Sequence, residues 1–186
     1  LKIMAIIKPI KPCDQRTFCC SDVFNAMQKK ESGNVASNGI GVIGDQHLDR
    51  NNPMVWAYGP FQIRYGYWKD AIRAGGVVLA ATFPEGVLTS RGVSELIVCE
   101  YMRKWASSEP PTSGASTRPW TNHADGGPFE RLRECRGTMK DVEIVARIHN
   151  GGPWGFNRTA TQAYWDGGND RYPDFKMWLC EVTKHK

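Results

Sequence analysis

The chain has 186 residues, 41% of them hydrophobic, which is enough for one domain with its own core rather than for two full domains. Its formal net charge of +5 favours anionic partners such as bacterial wall polymers or acidic glycans. We expect no nucleic-acid partner, because the chain contains neither a basic run nor a nucleic-acid-binding motif. We also expect no membrane span, since no stretch approaches the roughly 18 consecutive apolar residues that one needs.

The cysteine content indicates an oxidising compartment. The six cysteines are Cys13, Cys19, Cys20, Cys99, Cys135 and Cys180. An even number predicts up to three disulfides, with the pairing left open, and the alternative is six thiols in a cytosolic protein. No C-x-x-C pair occurs and no His lies at zinc-ligand spacing from a cysteine, so no metal and no other cofactor is expected.

Two further features bear on localisation. The sequence Asn157-Arg158-Thr159 is a glycosylation sequon and favours secretion. The chain begins with Leu1 rather than Met, which we interpret as a mature form whose leader has been removed or as a partial chain. We expect a secreted, extracellular protein.

The first half of the chain is predicted to contain a helix followed by a hairpin. Residues 1–20 are expected to be an extended arm, because their Lys-Pro pairs disfavour helix. Ser21 is predicted to cap a helix that ends near Glu31, since Gly33 suits the position after a C-terminus. Residues 34–62 are rich in Gly and Asn with short apolar pieces, which predicts a small β-hairpin with long loops.

The middle of the chain carries the clearest helical pattern. A helix is predicted over 67–74, before a pair of glycines. The next runs from a Ser90 cap to about Ala106, and Leu96 is placed on its apolar face by i, i+3, i+4 spacing. Residues 107–128 are rich in Ser, Pro, Gly and Thr and are predicted to form a surface loop.

The last third predicts two helices and a tail. Thr138 and Asp141 resemble a capping box and open a helix that ends near Asn150. A short helix is predicted over 159–165. Residues 167–186 are expected to fold back on the body as a C-terminal tail.

Glu31 is the first candidate for chemistry. Glycoside hydrolysis needs one carboxylic acid that stays protonated near neutral pH and a second carboxylate as nucleophile, base or electrostatic partner. A carboxyl at the end of an apolar-faced helix would have its pKa raised by desolvation and by the helix dipole. The alternative is that Glu31 is a solvated side chain after Lys29 and Lys30.

Several motifs carry a family resemblance. These are Glu31-Ser32-Gly33, the segment 40–45 (Ile-Gly-Val-Ile-Gly-Asp), the segment 59–68 (Gly-Pro-Phe-Gln-Ile-Arg-Tyr-Gly-Tyr-Trp), the segment 147–155 (Arg-Ile-His-Asn-Gly-Gly-Pro-Trp-Gly) and the segment 160–165 (Ala-Thr-Gln-Ala-Tyr-Trp). Together they resemble the invertebrate-type (destabilase-like) lysozymes. Because the chain lacks cysteines that flank these motifs in the animal members, it is closer to the cysteine-poor bacterial and algal-type relatives.

The resemblance implies a fold and a set of site residues. The fold it implies is α+β, lysozyme-like and mostly helical, with a small β-hairpin flanking a substrate cleft. It makes Glu31 the acid and Asp45 the second carboxylate, with Asp49 as a rival because the following region carries an insertion. The resemblance also places substrate-binding side chains at the cleft, namely Gln62, Tyr67, His149 and Asn150. For His149 a structural or substrate-positioning role is favoured over proton transfer.

Two functions from different classes follow from the resemblance. The first is a muramidase that cuts the β-1,4 bonds of peptidoglycan through two carboxylates, with chitin as a weaker alternative substrate. The second is a catalytically inactive lysozyme-fold protein that binds glycan or serves in an extracellular assembly through its terminal arms. The lysozyme-like domain is expected over 21–166, between the arm and the tail. A groove filled by either terminal segment would favour the second function.

Overall fold

A computed structural model describes residues 11–33, 35–75, 83–107, 127–167 and 173–186. The described segments form α-helices and a two-stranded antiparallel sheet, so the fold is α+β and mostly helical, as predicted. The elements are, in chain order, α1 (Cys20–Ser32), β1 (Ile43–Gly44), β2 (Ala57–Tyr58), α2 (Tyr65–Gly75), α3 (Glu85–Thr89), α4 (Arg91–Trp105), α5 (Pro128–Arg133), α6 (Met139–Gly151), α7 (Thr159–Asp166) and α8 (Phe175–Val182).

Helix α1 carries Glu31 in its last turn. The prediction that Ser21 caps this helix is wrong: the cap is Cys19, whose backbone N–H donates to the Asp22 carboxylate at 2.6 Å. An aspartate three residues after the cap closes a reciprocal capping box, and Ser21 falls inside the first turn. The predicted end is confirmed, since Gly33 follows the helix with φ at 77°.

The predicted β-hairpin is confirmed. Ile43 pairs with Tyr58 in an antiparallel ladder that also joins the second residues of β1 and β2. The hairpin lies against α3 at Gly59, where φ is +74° and an added Cβ would come within 1.9 Å of the Val87 carbonyl oxygen. Only glycine fits this close approach, so Gly59 fixes the position of the hairpin on the body.

Helix α4 begins at the predicted cap, but the side that it buries is not the side that was predicted. The Ser90 hydroxyl accepts a hydrogen bond from the Val93 N–H, which confirms the predicted cap. Leu96, however, is 51% exposed. The buried stripe instead runs through Ser94, Ile97, Val98, Tyr101 and Met102, where α4 faces α2, α3 and α6.

Helices α6 and α7 confirm the predictions for the last third of the chain. The Thr138 hydroxyl accepts from the Asp141 N–H, and the Asp141 carboxylate accepts from the Thr138 N–H at 2.7 Å. Helix α6 ends before Gly152, whose φ is 77°. Helix α6 is buried along most of its length between α4, α5 and α7 and forms the centre of the core.

The sequence patterns did not predict α3, α5 or α8. Helix α8 begins at Asp174, which accepts a hydrogen bond from the Met177 N–H at 2.8 Å, and it packs against α1. The tail therefore folds back on the body, as expected. Most of the predicted loop 107–128 lies outside the described residues, at 108–126, and so does half of the predicted arm 1–20, at 1–10.

One disulfide joins the two terminal segments to each other, and a second joins the N-terminal segment to the body. Cys13 pairs with Cys180, and Cys19 pairs with Cys135. The remaining cysteines, Cys20 and Cys99, are free thiols, so the predicted upper limit of three disulfides is not reached. Burial raises the pKa of Cys20 to about 12 and that of Cys99 to about 11. None of the described helices is long and apolar enough to cross a membrane.

Candidate functional site

A cleft of about 990 Å³ opens between the hairpin, α2 and the C-terminal end of α6. Glu31 enters it from the end of α1, 14 residues before Asp45 in the chain and more than a hundred before the α6 residues. The structure brings every site residue of the sequence prediction to this one cleft: Glu31, Asp45, Gln62, Tyr67, His149 and Asn150.

The Glu31 carboxyl is the most strongly perturbed acid of the cleft. Its side chain is only 17% exposed, and burial raises its pKa to about 7. The nearby carboxylate of Asp45 raises the pKa further, while the positive charges of Lys30 and Arg64 oppose the shift. Glu31 therefore changes protonation near neutral pH, which is the property required of a general acid in this range.

Tyr164 of α7 holds the Glu31 carboxyl directly. Its hydroxyl donates to Oε1 of Glu31 at 2.5 Å, a contact that favours the carboxylate and lowers the pKa of Glu31. Burial and the adjacent Glu31 keep the pKa of Tyr164 well above its usual range, so the hydroxyl remains a donor. The bond fixes the orientation of the carboxyl in the cleft.

His149 lies beside Glu31 with both ring nitrogens engaged. Nε2 is 3.0 Å from the Phe61 carbonyl oxygen, which can only accept, so Nε2 carries the proton. Nδ1 then accepts from the Tyr67 hydroxyl at 3.2 Å. Burial lowers the pKa of His149 to about 4, so the ring is neutral at neutral pH. The nearest Glu31 oxygen is 3.7 Å from Nε2, outside hydrogen-bond range, which fits a structural role better than proton transfer.

Asp45 occupies a different environment on the hairpin side of the cleft. It directly follows β1 with φ at 61°, and its carboxylate accepts from the Arg64 guanidinium at 2.5 Å. The Asp45 side chain is 29% exposed. Its rival, Asp49, does not line the cleft: the Asp49 carboxylate accepts from the Asn51 N–H at 3.0 Å in an exposed turn.

The remaining predicted side chains line the cleft in different ways. Gln62, with φ at 49°, uses its amide nitrogen to donate to the Gly59 carbonyl at 2.9 Å, so it braces the hairpin. The Tyr67 ring stacks on Tyr101 with 3.6 Å between ring centroids, and the Tyr67 hydroxyl donates a hydrogen bond to His149. Asn150 is exposed in the cleft wall at the end of α6.

Sequence analysis missed several cleft residues. Tyr164 lies inside a motif that carried the resemblance, but nothing in the sequence shows that its hydroxyl meets Glu31. Tyr101 is a buried residue of α4 that also lines the cleft. Lys69 and Arg73 also line the cleft, and their spacing of four residues on α2 was the signal that could have placed them together.

Among the described residues, no group of three or more His, Cys, Asp or Glu side chains is placed to hold a metal ion.

Comparisons with known proteins give a likeness to a solved structure, but no family. The chain matches no protein-family model, and no curated protein matches it. A chain in the crystal structure of Aeromonas hydrophila PliI in complex with Meretrix lusoria lysozyme aligns with 24% sequence identity over 80% of this chain and 87% of that chain. The TM-score is 0.44, a value at which the likeness establishes neither a shared fold nor a shared function.

Proposed function

We propose that this protein is a glycoside hydrolase with a lysozyme-like fold, a muramidase that cleaves the β-1,4 bonds of peptidoglycan. The observation that carries the proposal is the buried Glu31 carboxyl, whose pKa is raised to about 7 in the same cleft as a second, more exposed carboxylate, Asp45. Environments that separate two carboxyl groups in this way suit an acid and a stabilising or nucleophilic carboxylate.

In the proposed reaction, Glu31 is protonated before the bond breaks. It gives its proton to the glycosidic oxygen of the leaving sugar, and positive charge develops on the ring that remains. Asp45 stabilises that charge or attacks the anomeric carbon. Arg64, paired with Asp45 at 2.5 Å, keeps the Asp45 carboxylate oriented on the cleft wall.

Tyr164 and His149 are positioning residues in this proposal. The Tyr164 hydroxyl limits the carboxyl of Glu31 to one orientation through its 2.5 Å hydrogen bond. The neutral His149 ring joins α6 to the Phe61 carbonyl and packs beside Glu31, so it closes the acid off from water on that side. Less water around the acid maintains its raised pKa.

The location fits the proposed substrate. Two disulfides form in an oxidising compartment, so we propose that the protein acts outside the cytosol, where peptidoglycan is accessible. Of the described terminal residues, none from 11–19 or 173–186 lines the cleft. We place the polysaccharide strand in the cleft of about 990 Å³ that the described residues form beside Glu31 and Asp45.

The test is clearing of a peptidoglycan suspension by the parent protein and by Glu31→Gln, from about pH 4 to about pH 8. We expect the parent to clear the suspension, with the rate falling as the pH rises through about 7. Glu31→Gln should not clear it, whereas Glu134→Gln, a surface control, should behave like the parent.

Failure of the folded parent to clear the suspension at any pH would contradict the muramidase proposal. Co-sedimentation of the intact protein with peptidoglycan in the same experiment would then favour the alternative function, an inactive glycan-binding protein. Release of soluble sugars from chitin alone would instead redirect the proposal to the other β-1,4-linked polymer.

A further inference from the structure

One wall of the cleft is formed by a single face of α2. The cleft-lining residues Gly66, Lys69, Asp70 and Arg73 are three or four positions apart, so their side chains project from the same side of the helix. Gly66 has no side chain, and no atom lies within 4 Å of where its Cβ would be. This face therefore leaves open space beside two basic side chains.

The acidic groups of the cleft are compensated by nearby cations. Asp45 is paired with Arg64 at 2.5 Å. Asp70 forms an ion pair with Lys104 and accepts a hydrogen bond from the Trp105 indole at 2.5 Å. The negative charge of each carboxylate is thus neutralised by Arg64 or Lys104, and neither carboxylate pairs with Lys69 or Arg73.

Lys69 and Arg73 are the uncompensated charges of the cleft. Both are exposed, and in the part of the chain that the structure describes neither has a carboxylate within ion-pair distance. The Lys69 ammonium lies over the face of the Tyr65 ring, 5.7 Å from its centroid. Below about pH 7, where Glu31 is protonated, these two cations give the cleft a net positive charge.

We propose that Lys69 and Arg73 form a subsite for carboxylate groups carried by the glycan strand, so that the cleft selects an anionic β-1,4-linked amino-sugar polymer over a neutral one. This inference rests on the proposed function, because it assigns the class of substrate to the same cleft. A guanidinium and an ammonium four residues apart on one helix face can hold two carboxylate oxygens or two neighbouring carboxylates.

The subsite distinguishes the two polymers that the sequence left open. Peptidoglycan carries carboxylates on its peptide substituents and on any lactyl group that bears no peptide, whereas chitin carries none.

The experiment measures binding without cleavage. All proteins carry Glu31→Gln, and the ligands are carboxymethyl-chitin, which is anionic, and glycol-chitin, which is neutral and has the same backbone. The test variant adds Lys69→Gln and Arg73→Gln. The control variant adds Lys184→Gln and Arg136→Gln, which removes one Lys and one Arg from exposed ion pairs that do not line the cleft.

At low ionic strength we expect the Glu31→Gln protein to bind carboxymethyl-chitin about five- to tenfold more tightly than glycol-chitin. The preference should shrink with added salt and disappear in the Lys69→Gln/Arg73→Gln variant, while the control variant retains it. Affinity for glycol-chitin should change little in either variant.

Each other outcome overturns the inference in a distinct way. Equal affinity of the Glu31→Gln protein for the two polymers would show that the cleft does not select carboxylates, and the proposed glycosidase function would stand. If the test and control variants lose the preference for carboxymethyl-chitin equally, that preference comes from the overall charge of the protein and not from Lys69 and Arg73. Binding of neither polymer would count against the subsite and against the proposed function together.

Discussion

Glu31 and Asp45 face the same cleft from opposite kinds of environment. Glu31 lies at the end of an amphipathic helix, is 17% exposed, and has a pKa raised to about 7 by burial. Asp45 follows a short strand, is 29% exposed, and is paired with a guanidinium. The two carboxyl groups therefore differ in how readily they hold a proton, because burial surrounds one of them and a guanidinium pairs with the other.

The comparison shows which parts of the fold set each environment. Glu31 is enclosed by groups from distant segments, namely the Tyr164 hydroxyl of α7 and the His149 ring of α6. Asp45 is fixed locally, by the turn after β1 and by Arg64 at the start of α2. The acid therefore depends on the packed helical core, and the second carboxylate depends on the hairpin.

The largest expected effect is on the acid. Glu31→Gln should lower the cleavage rate about 10²- to 10⁴-fold, because a glutamine cannot donate a proton to the leaving sugar. The measurement is release of reducing ends from a soluble peptidoglycan fragment, with Glu134→Gln as control. A rate within a few-fold of the parent would remove Glu31 from the mechanism.

The second carboxylate should show the next largest effect. Asp45→Asn should reduce the rate about 10²-fold or more, because it removes the negative charge that opposes the developing cation. Asp49→Asn, four residues along the same loop region, should leave the rate within about twofold of the parent. The reverse order of the two variants in the same assay would reassign the second carboxylate to Asp49.

The raised pKa of Glu31 should also change how the free energy of unfolding depends on pH. The pKa of Glu31 in the folded protein, about 7, lies above its ordinary value of 4.5, so the folded state binds this proton more tightly than the unfolded state does. The parent should therefore lose stability as the pH rises from about 4.5 to about 7, by at most about 3 kcal/mol. Glu31→Gln should escape this loss and become more stable relative to the parent at about pH 8 than at about pH 4.

Urea unfolding of both proteins at the two pH values measures that difference. Comparing the pair cancels the contribution of His149, whose lowered pKa makes the folded state less stable as the pH falls from 6.5 to about 4. A stability difference between parent and Glu31→Gln that does not vary with pH would contradict a buried Glu31 carboxyl.

The smallest effect is expected at Tyr164. Tyr164→Phe removes a hydrogen bond to the Glu31 carboxylate and should raise the pKa of Glu31, moving the loss of activity at high pH upward by about one pH unit. The maximal rate should fall only several-fold, because the acid remains but is less well oriented. A lower rate with an unchanged pH profile would limit Tyr164 to a packing role.

Local chemistry made several of the helix ends predictable. Gly33 and the Thr138–Asp141 pair act through backbone geometry and hydrogen bonds between near neighbours, so the sequence alone places them. Helix α8 has eight residues, as many as the predicted α7, and lies in the segment that is predicted as a tail. Helices α3 and α5 escaped prediction because they have only five and six residues. Helices this short are stabilised by packing against the rest of the molecule rather than by their own sequence.

The candidate site was predictable in part. Residues as distant as Glu31 and His149 were assigned to one cleft only through the family resemblance, since no local pattern connects them. The bond from Tyr164 to Glu31 depends on how α6 and α8 position α7 near the end of α1, which the sequence does not encode locally. The exposure of Leu96 could not be predicted for the same reason, because the packing of α2, α3 and α6 determines which side of α4 is buried.

The most direct test of the central claim is a titration of the Glu31 carboxyl itself. Carbon-13 NMR of the side-chain carboxyl groups, recorded across pH in the parent and in Glu31→Gln, identifies the Glu31 signal as the one that the variant lacks. We predict that this signal titrates with a pKa of about 7. A pKa at the ordinary value of 4.5 would contradict the claim that the fold prepares Glu31 as a general acid.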